Sequence, residues 1–163
     1  MTATGGGNMQ PYDGTEPRVA PRPKVDAGRL WSGGAAAAAV AALVAIVGVV
    51  VARGLFDIPV LAREADGTFG DASTWMLAAG AAVGALLATA LIHVLLLTTP
   101  RPLAFFGWIV GLLTTVAVLV PFTADESLAA RVATALIHLL IGTCIGSLVS
   151  GVAARSVLQR RTP

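Results

Sequence analysis

The sequence predicts an all-α fold, a four-helix transmembrane bundle behind a disordered N-terminal tail, and three observations carry that prediction. Hydrophobic residues make up 56% of the 163 residues and charged residues 12%, with a mean hydropathy of +0.81, whereas a soluble domain carries about 25% charge. The charges are also confined. Cutting at every Asp, Glu, Lys and Arg leaves uncharged runs at 30–52, 72–100, 102–124 and 132–154, of 23, 29, 23 and 23 residues. A helix needs roughly 20 apolar residues to cross a hydrocarbon core about 30 Å thick, and lipid obliges each span to satisfy its own backbone hydrogen bonds.

Residues 1–29, with GGG at 5–7 and PRVAPRPK at 17–24, lack any apolar period and are expected to form a disordered cytoplasmic tail. The Pro-x-x-Pro spacing within that tail reads as linker rather than as a polyproline ligand. A four-helix domain over 30–157 follows, and 158–163 form a short polar tail. Helix one is placed near 31–53. The residues before it are polar and rich in Gly and Pro where a cleavable signal would have an apolar core, so helix one is expected to direct insertion itself.

The connection 53–73 is the longest. Its half GLFDIPVL is apolar enough to lie in the interface or fold back onto the bundle, and READGTFGD reads as a solvated turn. Helices two and three are placed near 74–98 and 103–122, joined by Thr98-Thr99-Pro100-Arg101-Pro102. Helix four is placed near 126–154, entered from Pro121-Phe122-Thr123, where Thr123 and Glu126 have the spacing of a capping box. Short links make neighbouring helices antiparallel.

Basic residues set the expected orientation. Arg18, Arg22, Lys24, Arg29, Arg101, Arg155, Arg160 and Arg161 fall on one side, and only Arg53, Arg63 and Arg131 on the other, so both termini are expected in the cytoplasm. The formal charge of +2 follows from this excess and reads as a topology signal rather than as nucleic-acid binding. Trp31, Trp75 and Trp108 stand near the proposed boundaries and read as interfacial anchors. The single cysteine, Cys144, falls mid-helix and reads as an inert thiol. Ten Arg against one Lys, with abundant Ala, Gly and Val, suggests a GC-rich bacterial genome and hence the bacterial cytoplasmic membrane.

Four-residue glycine spacing recurs at Gly80/Gly84, Gly107/Gly111 and Gly142/Gly146, the last extending to Ser150. Such spacing clears one stripe of a helix and lets a neighbour approach closely, so these positions are expected at helix packing seams. The hexamer ATALIH occurs twice, at 88–93 and 133–138, and each copy ends in one of the two histidines. At about 1.5 Å per residue, His138 lies seven residues, roughly 10 Å, inside Arg131, whereas His93 lies eighteen residues, roughly 27 Å, beyond Trp75. Ligands of one haem or metal must converge, so this mismatch in depth speaks against a shared centre, and no cofactor or metal is expected. Thr89, His93, Thr134 and His138 are instead read as intramembrane polar positions, each His bonding to a backbone carbonyl or its neighbouring Thr. By depth, loss of His138 should cost more than loss of His93, which sits closer to water.

The run RGLFDIPVL, the segment TTPRPLAFFGWIVGL and the pair Pro121-Phe122 resemble an actinobacterial family of small four-helix membrane proteins, a domain of unknown function, over roughly 30–157. The resemblance implies fold and membrane location, and no activity. Ser147 and Ser150 near Gly146 and Gly151 form no nucleophile elbow, and the spans hold no acid, so no enzyme is expected. The favoured function is a non-enzymatic structural or interaction component that packs with itself or a larger membrane complex, its partner otherwise being the lipid bilayer. The alternative is a small transporter or channel subunit acting as an oligomer, lined by Thr114, Thr115, Thr134 and His138.

Overall fold

The computed structural model describes residues 26–63, 69–71 and 74–158. Four helices, α1 (Ala27–Phe56), α2 (Thr74–Thr98), α3 (Pro102–Leu119) and α4 (Leu128–Leu158), form the bundle, and a 3-10 turn over Val120–Thr123 prolongs α3. All four are long and apolar enough to cross a membrane. The expected tails 1–29 and 158–163 fall largely outside the described residues, as do 64–68 of the long connection.

Helix α4 runs four residues past its expected end, to Leu158, and α3 gives way to the 3-10 turn after Leu119. Three further boundaries differ from expectation, each through a capping interaction. Helix α1 begins four residues early, because the Asp26 carboxylate accepts the Arg29 N–H at 3.2 Å and so satisfies one of the donors left over at a helix start. It ends late, at Phe56. Asp57 takes a left-handed conformation (φ 53°, ψ 35°), which Asp tolerates better than most residues, and the N–H groups of Asp57 and Ile58 both close onto the Ala52 carbonyl. The third correction is at α4. The Thr123 hydroxyl is engaged by the Val120 carbonyl at 2.8 Å, so no capping box forms with Glu126; the Ser127 hydroxyl instead accepts the Ala130 N–H at 3.3 Å, and the helix starts at Leu128.

The reversal at Asp57 directs the following segment back onto the bundle, and this decides between the two expected fates of GLFDIPVL. Val60 and Leu61 are buried, and Leu61 packs with Ala124, Ala130 and Ile58. Leu61–Arg63 (β1) then pairs antiparallel with Phe69–Asp71 (β2), in the register Leu61 with Asp71, Ala62 with Gly70 and Arg63 with Phe69. Strands of three residues are too short to leave a readable alternation in the sequence.

The core is made mostly of small side chains. On α1 the buried positions are Leu30, Gly34, Ala37, Ala38, Ala41, Ala45, Val49 and Ala52, and on α2 they are Ala78, Ala81, Ala85, Ala88, Thr89 and Ile92. The large apolar residues of the same helices, among them Leu43, Val47, Leu87 and Val94, point outward. In lipid this is the favourable arrangement. An outward Leu meets acyl chains as apolar as itself, whereas small residues at the seam bring two helices close enough to gain dispersion contact.

Glycine matters at positions the four-residue pattern did not select. A Cβ at Gly34 would lie 2.5 Å from the Thr89 side chain, and one at Gly33 would lie 2.5 Å from Val152, so adjacent glycines on α1 admit α2 and α4 respectively. On α4, Gly142 receives Thr114 of α3, and a Cβ at Gly146 would stand 3.3 Å from Val110. Gly84 makes only ordinary contact, with Ile145 at 3.8 Å from its would-be Cβ. Among the described residues nothing lies within 4 Å of a Cβ built at Gly80, Gly107 or Gly111, so no helix of the bundle packs on them. Four-residue spacing shows that a stripe is smooth, not which side of the helix it faces.

Candidate functional site

Two polar contacts between elements lie at opposite ends of the bundle. At the end that carries the termini, the Trp31 indole of α1 donates its Nε1–H to His93 Nδ1 of α2 at 3.2 Å, with ring centroids 6.5 Å apart and the planes inclined by 52°. Because Trp can only donate, His93 Nδ1 accepts, and the neutral ring then carries its hydrogen on Nε2. This corrects the expected partner of His93, which is neither a carbonyl nor Thr89. The Thr89 hydroxyl donates to the Ala85 carbonyl at 2.8 Å, and the side chain is fully buried against Gly34. Trp31 therefore ties α1 to α2, while Trp75 and Trp108 are largely exposed.

At the opposite end, Thr134 is the junction between the loop and α4. Its hydroxyl, buried, accepts the Leu61 N–H at 3.0 Å and so satisfies a backbone donor at the start of β1. Its carbonyl accepts from His138 Nδ1 at 2.8 Å, the backbone partner expected for this histidine. Nearby, Arg131 approaches the exposed Asp125 carboxylate only to 4.0 Å, a pair that adds little in solvent.

The two copies of ATALIH thus do different things. One supplies a threonine knob and an acceptor for a tryptophan on another helix; the other supplies a clasp for the loop and a histidine bonded to its own helix. Thr89 and His93 are not brought together with Thr134 and His138. Among the described residues no three His, Cys, Asp or Glu side chains come near enough to hold one metal ion. His93 makes a bond between helices, whereas His138 makes one within its own.

Beside His138, α2 and α3 stand apart on the α4 surface and leave a lateral groove. Its cavity is about 690 Å3 and its walls include Gly80, Gly84, Val110, Leu113, Thr114 and His138. The open glycines of α2 account for part of the space. Most hydroxyls in the bundle bond back to their own helix, Thr115 to the Gly111 carbonyl at 2.9 Å, Thr143 to Leu139 at 2.7 Å and Ser147 to Cys144 at 3.0 Å. Thr114 does not: its hydroxyl has no hydrogen-bond partner among the described residues. A second groove, about 430 Å3, runs along the other side of α3 against α4 and is lined by Gly107, Gly111, Thr115, Thr143, Gly146 and Ser150 among others.

A family model described as a family of unknown function (DUF6069) matches residues 25–161. The chain belongs to this family. No curated protein and no solved structure matches it. The DUF6069 match takes in all four helices, the β1–β2 loop and both grooves, so the unit the family describes is the bundle itself.

Sequence reasoning missed the Trp31–His93 pair although part of its signal was present. Trp31 opens the first span and His93 closes the second, which places them at one level; composition does not say which faces meet. If the bond joins α1 to α2, a double-mutant cycle of Trp31→Phe and His93→Ala, read by unfolding in detergent, should give a coupling of about 0.5–1.5 kcal/mol. A coupling indistinguishable from zero would mean that the two rings act independently.

Proposed function

We propose that this protein is a non-enzymatic component of the bacterial cytoplasmic membrane that works by helix association, with itself or within a larger membrane complex, through the lipid-facing side of α3 and α4. The observation that carries this reading is the incompleteness of the bundle around α3. Phe106 is the one buried residue of that helix, whereas each of the other helices buries a full face. Exposed Leu112, Val116 and Leu119 are at ease in lipid. A smooth strip is not, because the clearance at Gly107 and Gly111 forfeits contact that another helix would restore.

Catalysis draws no support from the polar residues. The Ser147 hydroxyl is engaged by its own helix, and His138 and His93 serve different elements. Nor do the four residues considered as a transport lining converge. Thr134 is occupied by Leu61 and Thr115 by Gly111; Thr114 shares one groove with His138 and the other with Thr115, and no groove brings all four together. The resemblance carried by RGLFDIPVL and TTPRPLAFFGWIVGL supports an actinobacterial source, and the basic residues support cytoplasmic termini.

Replacing Gly107 and Gly111 together by Leu is the direct test, since neither new side chain meets an atom of the described residues within 4 Å at its first carbon. The expected outcome, by light scattering on the detergent-solubilised protein and by co-purification from membranes, is loss of association with unchanged monomer stability. Association that survives the double substitution would place the contact elsewhere. Orientation is tested in a Cys144→Ser background: a thiol from Gly67→Cys should react with an impermeant reagent in intact cells, and one from Gln10→Cys only after permeabilisation. The opposite pattern would invert the topology.

A further inference from the structure

We infer that the groove between α2 and α3 is a binding site for an uncharged lipid alcohol, its chain lying along Gly80 and Gly84 and its hydroxyl donating to His138 Nε2. The groove borders the proposed association surface across α3, sharing Val110, Thr114 and Gly142 with the furrow that holds Gly107 and Gly111. The shape comes first. At about 690 Å3 the groove falls in the range of small-molecule sites, roughly 300–1,000 Å3, and like them it is mainly apolar with a few polar groups in its wall. Along α2 it extends from Met76 to Leu91, fifteen residues or about 22 Å, long enough for an extended hydrocarbon chain.

The polar groups then select the head. The Thr134 carbonyl can only accept, so His138 Nδ1 must donate to it, and the neutral imidazole is left with a lone pair on Nε2 that no protein donor meets among the described residues. In the same wall Thr114, packed on Gly142 one turn along α4 from His138, has a hydroxyl with no protein partner among the described residues. One group asks for a donor, and the other can supply a hydrogen. A hydroxyl both donates and accepts, so it answers the pair; an ester, ether or ketone oxygen cannot donate to His138.

Depth excludes the charged alternatives. His138 lies seven residues, roughly 10 Å, inside Arg131 along α4, where a phosphate or carboxylate head would have to shed its water with no cation in the groove wall to receive it. Gly80 leaves the space that the occupant fills. A Cβ there meets nothing within 4 Å, which also makes this position a means of blocking the groove without disturbing the fold.

The test uses the purified full chain in nanodiscs and a photoactivatable hexadecanol carrying a diazirine in its chain. Labelling should saturate, map to the groove-lining segments of α2, α3 and α4, and be displaced by hexadecanol roughly tenfold more effectively than by its methyl ether, the difference expected for one hydrogen bond in a dry site. Gly80→Leu and His138→Phe should each reduce labelling by a similar factor, with thermal stability of the Gly80 variant unchanged. Equal displacement by alcohol and ether would overturn the assignment and leave a furrow filled by any acyl chain. So would labelling that survives both substitutions, or protein–protein cross-links at the groove that exclude the probe, which would make a second copy its occupant.

Discussion

The close approach of α1 to its neighbours across small residues is the constraint on which the rest of the bundle depends. In water a bundle of this kind would bury its leucines; in lipid there is nothing to gain by doing so, and association rests on contact between surfaces that fit. The alanine face of α1 provides such a surface, and the adjacent pair Gly33 and Gly34 widens it in two directions, toward Val152 of α4 and Thr89 of α2. Once α1 is seated between α2 and α4, the positions of Trp31 against His93 and of Leu61 against Thr134 follow, because both bonds run from α1 or its continuation to helices that α1 has already located.

Hydrogen bonding inside the membrane is then settled atom by atom. Thr89, Thr115, Thr143 and Ser147 close onto their own helix turns, and Thr134 accepts a loop amide that would otherwise be buried without a partner. Against that background His138 and Thr114 are the polar residues in the wall of the α2–α3 groove, and each keeps hydrogen-bonding capacity unused among the described residues. Helix α3, held chiefly on one side by α4, is the common border of both open surfaces, the α2–α3 groove and the smooth strip with Gly107 and Gly111.

The four spans were legible because a hydrocarbon core demands that charge be absent over twenty-odd consecutive residues, a demand that water never makes of a helix, and α2 begins and ends where the sequence placed it, at Thr74 and Thr98. The start of α1 was not, because Asp26 caps the helix from beyond Arg29, outside the uncharged run that defined the span. At α4 two hydroxyls competed for the cap, and the 3-10 turn that captures Thr123 is a tertiary outcome. The seams were the least legible part. Gly80, Gly107 and Gly111 satisfy the same spacing as Gly142 and Gly146, yet only the latter two face another helix closely, and the alanines that do most of the packing differ little from glycine in what they permit. Of the polar residues, the level of each histidine was readable from helical rise; the partner of His93 was not, since rotation about a helix axis leaves depth unchanged.

Whether α1 packs by smallness rather than by bulk is tested most directly by paired substitutions along that helix. Enlarging the buried Ala41 and Ala45 to Leu should lower unfolding stability in detergent by about 1–3 kcal/mol at each site, whereas shortening the outward Leu43 and Val47 to Ala should change it by less than about 0.5 kcal/mol. The reverse order, with Leu tolerated at 41 and 45 and stability lost on truncation at 43 and 47, would contradict packing of α1 through its alanine face.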